Sequence, residues 1–458
     1  MKVVICGAGQ VGYGIAERLA SERNDVSVID TSRTLVQAIR DNLDARGFVG
    51  HGAQPDVLAE AGAEQADMII AVTLHDEVNM IACQVAHSLF NVPTKIARIR
   101  SQSYLRPHWQ DLFSTDNLPI DVIISPEVEV GEMVLRRIAL PGAMDAVRFA
   151  DDNIAMVAIE CSEDCPVVNT PLDQLTDLFP DLNATVVGIK RGDQLFIPGS
   201  NDHMVPGDIA YVVAERSHVR RALGLFGHEE PEAGRIVIVG GGNIGYFVAQ
   251  QIEKRNLGAK IRVIEDNHDR AVTIADGLKR TIVLHGSGLD QSILKEADIG
   301  SSDLLIALTN DDKVNILSSV MAKRLGCKGN LALLNNADYQ GFTRTLGIDA
   351  FINPRSVTIS RVLQHVRRGR IRAVHSIQNG IAEVIEAEAL ETSPLVGEPL
   401  RDLNLPDNLR IGAIYRNGAY VKPNGQTKIR AKDRVVIFAA AAAVRHVEQM
   451  FRVSLEFF

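Results

Sequence analysis

Short apolar runs alternate with helix-length segments along most of the chain. Lys2-Val3-Val4-Ile5-Cys6 reads as a strand, and Ile15-Ala16-Glu17-Arg18-Leu19-Ala20 has the apolar spacing of a helix face. Segments 25–30, 47–49, 68–73, 95–100 and 122–124 read as five further strands. The run 68–73 is apolar almost throughout, as in a parallel strand covered on both faces. Segments 56–63 and 76–89 read as helices. Ser125-Pro126-Glu127 is a helix start, with Ser as N-cap and Pro at the first helical position. That helix runs to about Ala139, and Pro141-Gly142 ends it. Strands alternating with helices predict a doubly wound parallel sheet.

After Gly142 the pattern changes. Strands at 145–160, 185–197 and 209–214, tight turns between them, and helices at 172–178 and 217–225 predict a small α+β module. The polar stretch 227–234 carries Pro231 and reads as a linker. Then the pattern restarts. Arg235-Ile236-Val237-Ile238-Val239 is followed by Gly240-Gly241-Gly242-Asn243-Ile244-Gly245, and Ile261-Arg262-Val263-Ile264-Glu265 repeats the second strand. Motifs recur at nearly constant offsets: 233 from Gly7 to Gly240, 234 from His51 to His285, 236 from Thr73 to Thr309. A tandem duplication accounts for this. The expected units are dinucleotide-type domains at 1–124 and 235–352, connecting helices at 125–142 and 353–370, small modules at 143–226 and 371–458, and the linker 227–234. The fold class is therefore α/β, with two Rossmann-type parallel sheets, each followed by a small α+β domain.

The glycine spacing adds chemistry. In Gly-x-Gly-x-x-Gly between a strand and a helix, the first glycine makes the turn and the second lets backbone approach a pyrophosphate. The third lets helix and strand pack closely. Gly7, Ala8, Gly9, Gln10 and Val11 form the first candidate turn, and Gly240, Gly241, Gly242, Asn243 and Ile244 the second. The next strand ends on Asp30 in one copy and Glu265 in the other, where a carboxylate accepts from the adenosine ribose. An acid there disfavours a 2′-phosphate, so NAD is expected over NADP, although Arg33 lies near. His51 and His285 sit in matching turns as candidates to line the adenosine pocket, and Thr73 and Thr309 end matching strands. Alignment of Tyr104 with Tyr339 sets Leu333 opposite Arg98 and Asn335 opposite Arg100. A guanidinium at a strand's carboxyl end is a natural pyrophosphate partner. The second turn lacks it and is expected to bind more weakly, to bind another nucleotide, or to be structural.

Composition narrows the classes. The 458 residues are 46% hydrophobic and 23% charged, with a net charge of −9 that argues against nucleic acid as the main partner. The longest apolar runs fall short of the ~20 residues of a membrane span. Five scattered cysteines and no signal-peptide pattern lead us to expect a cytoplasmic protein. Cys161-x-x-x-Cys165 lacks a second pair at zinc spacing, so no metal site is expected. The basic run 365–372 reads as a solvated helix end, or as a contact for an acidic partner or anionic ligand. No nucleophile–base–oxyanion constellation and no catalytic residue are apparent. Nor does a large catalytic domain accompany either turn, as a dehydrogenase would require. A ligand sensor is therefore expected, not an enzyme. An NAD-dependent oxidoreductase of duplicated form is the alternative. A sensor whose small domains take an anion or a cyclic dinucleotide is a third.

The two glycine turns, Asp30, Asp76-Glu77-Val78-Asn79-Met80, Ala97-Arg98-Ile99-Arg100 and the closing segment 451–458 together resemble the TrkA family. Its members are cytoplasmic nucleotide-binding regulatory subunits of bacterial Trk potassium-uptake systems. The likeness extends over essentially the whole chain, in the order RCK N-lobe, C-lobe, N-lobe, C-lobe. It implies a peripheral protein on the inner face of the plasma membrane, a homotetrameric ring under a potassium-translocating membrane subunit. Occupancy by NAD(H), or by ATP or ADP, would reshape the ring and gate transport. It also implies that Gly7 to Val11, Asp30, Thr73, Leu74 and Arg98 contact a first nucleotide, and Gly240 to Ile244 and Glu265 a second. The helices starting at Ser125-Pro126 and Asn353-Pro354 are expected to be crossover elements and hinges.

Overall fold

The computed structural model describes residues 1–255, 258–343, 345–366, 371–377 and 380–451. Residues 367–370 of the basic run and 452–458 of the closing segment lie outside the described residues.

The first sheet has six parallel strands: β1 (Lys2–Cys6), β2 (Asp25–Asp30), β3 (Arg46–Val49), β4 (Met68–Ala71), β5 (Thr94–Arg98) and β6 (Val122–Ile124). Their order is β3-β2-β1-β4-β5-β6. It reverses between β1 and β4, which opens a crevice at their carboxyl ends. Helices α1 (Gln10–Ser21), α2 (Arg33–Asn42), α3 (Pro55–Glu60) and α4 (Asp76–Phe90) cover the sheet. Val3, Ile5, Met68 and Ile70 face the core containing α1, while Val4, Cys6, Ile69 and Ala71 face the one containing α4. Both faces are dry, so residues 3–6 of β1 and all of β4 are apolar at every position.

Helix α5 (Pro126–Ala139) leads to an antiparallel sheet of β7 (Ala143–Phe149), β8 (Ile154–Glu160), β9 (Ala184–Arg191), β10 (Gln194–Phe196) and β11 (Ile209–Glu215), with α6 (Leu172–Leu178) and α7 (Val219–Leu225). The second parallel sheet repeats the first order with β12 (Arg235–Val239), β13 (Lys260–Glu265), β14 (Ile282–His285), β15 (Leu304–Ala307), β16 (Gly329–Leu333) and β17 (Ala350–Ile352). Its helices are α8 (Asn243–Lys254), α9 (His268–Gly277), α10 (Gln291–Glu296), α11 (Asp312–Arg324) and α12 (Ala337–Gln340). Helix α13 (Pro354–Val366) leads to the last antiparallel sheet, β18 (Ile371–Ile377), β19 (Ala382–Glu388), β20 (Leu409–Arg416), β21 (Ala419–Val421) and β22 (Arg434–Ala440), and α14 (Ala441–Met450) follows. The expected class of two doubly wound sheets with two small α+β lobes is the one the chain forms.

The chain divides into two compact units, 1–129 with 354–366, and 130–353 with 367–458. In the first, α13 packs on α1 although it follows the second parallel sheet in sequence. Gly14 of α1 leaves no room for a Cβ beside Ile359, and Val362, Leu363 and Val366 complete the core of β1. Glu129 pairs with Arg361 at 3.0 Å. In the second unit, Gly131 of α5 faces the Phe247 ring of α8, and Glu132 pairs with Arg255 at 2.6 Å. Each connecting helix thus meets the helix that follows the glycine turn of the other repeat, α13 on α1 and α5 at Phe247 of α8.

The second unit also holds both small sheets, and they share a core. Phe149, Met156, Tyr211 and Val213 meet Ile377, Val384, Val436 and Phe438, with the Tyr211 and Phe438 rings 5.6 Å apart. In β8, Ile154, Met156 and Ala158 enter this joint while Ala155, Val157 and Ile159 enter the lobe's own core. An antiparallel strand buried on both sides explains the uninterrupted apolar run. His375 Nε2 lies 2.8 Å from Asp145 Oδ2 within the joint. Burial pushes the Asp145 carboxyl up, but His375 and Arg137 outweigh it and hold it well below the usual carboxylate range. Glu386 accepts from the Ala150 N–H at 2.9 Å and pairs with Arg434, which also reaches Asp151.

Candidate functional site

The first glycine turn lies where β1 feeds α1. Gly7 has φ +110°, a conformation that disfavours any Cβ. Its N–H donates to Ile29 O at 2.8 Å, tying the turn to β2. At Gly12 a Cβ would overlap the Gly7 carbonyl oxygen, so only glycine lets α1 sit this close to the turn. Gly9, the N-cap of α1, is exposed, and a Cβ there would meet nothing within 4 Å. The helix begins with no side-chain cap and no acid in its first turn. Its free N–H groups and partial positive charge therefore face the crevice, open to an anion.

Asp30, at the end of β2, braces the turn from the side of β2. Its Oδ2 accepts from the Ala8 N–H at 2.7 Å and its Oδ1 from the Ser32 N–H at 2.8 Å. Each carboxylate oxygen accepts one of these bonds and keeps further acceptor capacity. His51 is exposed in the turn after β3, its Nδ1 accepting from the Ala53 N–H at 3.4 Å.

Arg98 closes the other side. It ends β5 and is only 9% exposed, and its Nη2 donates to Thr73 O at 2.7 Å. Its Nε is buried without a hydrogen-bond partner among the described residues. Burial, and then Arg100, lower the guanidinium from its ordinary value, while Glu127 and Asp76 pull it back up. A buried cation with an unused donor favours an added anion. Leu74 stands 75% exposed beside Thr73. Arg100 Nε pairs with Glu127 Oε1 at 2.9 Å in the first turn of α5, and Glu127 Oε2 is buried without a hydrogen-bond partner among the described residues. The cation of the turn and the start of the connecting helix thus share one charge cluster.

Sequence reading missed the residue that organises this side as a donor–acceptor hub. Asn79, fully buried in α4, accepts from the Thr73 N–H at 2.8 Å and the Thr73 hydroxyl at 2.7 Å. Its Nδ2 donates to Arg98 O at 2.8 Å and Thr73 O at 3.3 Å. Asp76 similarly accepts from the backbone of Arg100 and Ser101. The signal was the recurrence of Thr-x-x-Asp-x-Val-Asn at 73–79 and 309–315. We expect Asn79→Ala to lower stability by about 2–4 kcal/mol, because it strands several buried polar groups. Denaturant unfolding of the full chain checks this.

The second turn repeats the frame. Gly240 has φ +100°, and a Cβ at Gly245 would overlap the Gly240 oxygen, while Gly242 is open. Ile244 follows Asn243 in the first turn of α8. Glu265 accepts from Gly241 N–H at 2.6 Å and Asn267 N–H at 2.9 Å. Asn315 ties Thr309 to Leu333 O, as Asn79 ties Thr73 to Arg98 O. That match confirms Leu333 at the place of Arg98, so this turn carries no strand-end guanidinium. His285 Nε2 lies 3.1 Å from Asp266 O, and its ring meets that of His268 edge-on at 5.0 Å.

Residues 3–126 and 236–354 match the family model of the TrkA-N domain, and residues 156–227 and 384–452 that of the TrkA-C domain. The chain is 62% identical over 458 residues to the Trk system potassium uptake protein TrkA of Azorhizobium caulinodans, covering 100% of both chains. It is 40% identical to the protein of that name from Halomonas elongata, again with 100% of both covered. Among solved structures, the RCK domain of GsuK shares the fold with a TM-score of 0.61 at 17% identity, over 98% of this chain and 94% of that one. With the repeated TrkA-N and TrkA-C domains and full-length relatives at these identities, the chain belongs to the TrkA family of Trk potassium-uptake proteins.

Proposed function

We propose that this chain is the nucleotide-sensing regulatory subunit of a Trk-type potassium transporter, without catalytic activity of its own. It works in the cytoplasm, docked on the membrane subunit that carries potassium. The observation that carries the reading is the buried, under-satisfied Arg98, bonded to Thr73 next to the glycine turn and linked through the Arg100–Glu127 pair to the start of α5. Family membership supplies the transporter. Among the described residues no helix is long and apolar enough to cross a membrane, which suits a subunit that acts through a membrane partner.

In this reading Gly7 to Val11 take the pyrophosphate of NAD(H), Asp30 the adenosine ribose, and Thr73, Leu74 and Arg98 the far side of the ligand. ATP or ADP presents the same adenosine and diphosphate and competes. A phosphate on Arg98 adds negative charge beside Glu127 and weakens the hold of Arg98 and Arg100 on it. The first turn of α5 then shifts, and α5 passes the change on. Further copies of the chain assemble into a ring whose shape follows ligand occupancy. A ligand moves such an equilibrium only by its differential affinity for the two shapes, and roughly 1–3 kcal/mol suffices for a several-fold effect. Domains are taken as 1–124, 143–226, 235–352 and 371–458, with the helices between them as hinges.

The test is binding of NADH, NAD, ADP and ATP to the full chain by titration calorimetry, with steady-state hydride turnover followed in parallel. Saturable binding without turnover is expected. Turnover abolished by Asp30→Ala would establish an NAD-dependent oxidoreductase instead.

A further inference from the structure

The two glycine turns share a frame and differ in the cations around it. The first acid, Asp30, is followed five residues later by Leu35; Glu265 is followed five residues later by Arg270. The match is fixed by Ser32 and Asn267, which cap α2 and α9 at the same step after the acid. Leu35 is 40% exposed and carries no charge. Arg270 is folded back onto its turn, with its Nε donating to Gly241 O at 2.8 Å and its guanidinium carbon 5.6 Å from the centre of the Tyr246 ring. The turn itself is tighter, because Gly241 replaces Ala8. A Cβ at Gly241 would strike Ile274 and come within 3.1 Å of a Glu265 oxygen. On the phosphate side the first turn has Arg98 and the second has Leu333, which is buried and apolar.

The second turn thus lacks the strand-end cation, and on the side of its acid it holds a guanidinium folded onto the turn, where the first has only the exposed Arg33 next to the Ser32 cap. A guanidinium held over an aromatic ring beside the turn is of the kind that also stacks on a purine. Glu265 remains to accept from the ribose, and the helix start remains to take one phosphate. Nothing at Leu333 can pair with a second phosphate. We propose that the second turn is an adenosine 5′-phosphate site, read at base and ribose through Arg270 and Glu265 and indifferent to the group carried beyond the first phosphate. The first turn, which depends on Arg98, needs the diphosphate. This inference rests on the nucleotide reading of the proposed function. It makes the chain a sensor of two quantities, total adenosine nucleotide and diphosphate-bearing ligand.

Calorimetric titration of the full chain with AMP, ADP, NADH and NADPH tests it, using wild type, Arg98→Ala, Arg270→Leu and Arg270→Lys. Wild type should show two classes of site for NADH and one for AMP. Arg270→Leu should weaken AMP at least tenfold and leave the tighter NADH class within twofold, with Arg270→Lys in between because charge without the planar fork stacks poorly. Arg98→Ala should do the reverse. Thermal unfolding shows that each variant is folded. The inference is overturned if Arg270→Leu leaves AMP binding unchanged. It is also overturned if the class that Arg270→Leu removes prefers NADPH to NADH tenfold, since Arg270 then serves a 2′-phosphate. If wild type binds none of the four, the proposed function falls and this inference with it.

Discussion

Gly12→Ala is expected to abolish nucleotide binding at the first turn and to destabilise its domain by about 3 kcal/mol or more. The added Cβ would overlap the Gly7 carbonyl oxygen, which is backbone and cannot rotate away. Gly7 in turn is pinned by its bond to Ile29 O, and its own neighbours at Val72 and Thr73 lie 3.0–3.1 Å from where a Cβ would be. Relief requires α1 to lift from β1, which opens the core around Ile5, Ile15 and Leu19. Gly9→Ala is the informative partner. Its Cβ meets nothing within 4 Å, so the variant should fold like wild type and still bind poorly, because the methyl stands where a pyrophosphate approaches. Thermal unfolding and NADH titration of the two variants separate fold from site. A Gly12→Ala protein that unfolds and binds as wild type does would refute the packing argument.

The second large effect is on affinity. Arg98→Ala should weaken NADH and ADP at the first turn roughly 10- to 100-fold, the usual worth of a charge-assisted bond to phosphate. Stability should change less than affinity. The substitution removes a buried guanidinium whose Nε is unsatisfied, and it leaves only Thr73 O, which Asn79 still serves, short of one donor. Lys at this position should recover part of the affinity and none of the bidentate geometry. Glu127→Gln is expected to behave oppositely, tightening the ligand modestly, because it removes the negative charge that competes for Arg98 and Arg100. Affinities indifferent to both changes would remove Arg98 from the site.

Much of this was legible in the sequence because it is written locally and twice. Gly7, Gly9 and Gly12 carry their roles in their spacing, and Gly240, Gly242 and Gly245 repeat them. Apolar runs such as 68–71 announce strands covered on both faces. The duplication also sets Arg98 against Leu333 in the sequence alone, and the matching bonds of Asn79 and Asn315 bear that alignment out. Long-range partners were not legible. Nothing local in α13 shows that Ile359 seats on Gly14 of the first repeat, or that β8 and β22 bury a second face in a common joint. Those pairings join residues more than 200 positions apart, and periodicity reports which face is apolar, not which element covers it. The bonding role of Asn79 was hidden for a different reason. A buried amide looks like any polar helix residue until its four bonds are counted.

In the proposed function, ligand at the first turn controls potassium movement through the membrane partner. The most direct measurement is potassium flux into vesicles holding that partner and the full-length chain, with and without NADH or ADP. We predict that nucleotide changes flux several-fold with wild type, and that with Arg98→Ala the response appears only at roughly 10- to 100-fold higher nucleotide, tracking the affinity. Flux that is the same with and without nucleotide, or an Arg98→Ala chain that responds at wild-type concentrations, would rule out control from the first turn.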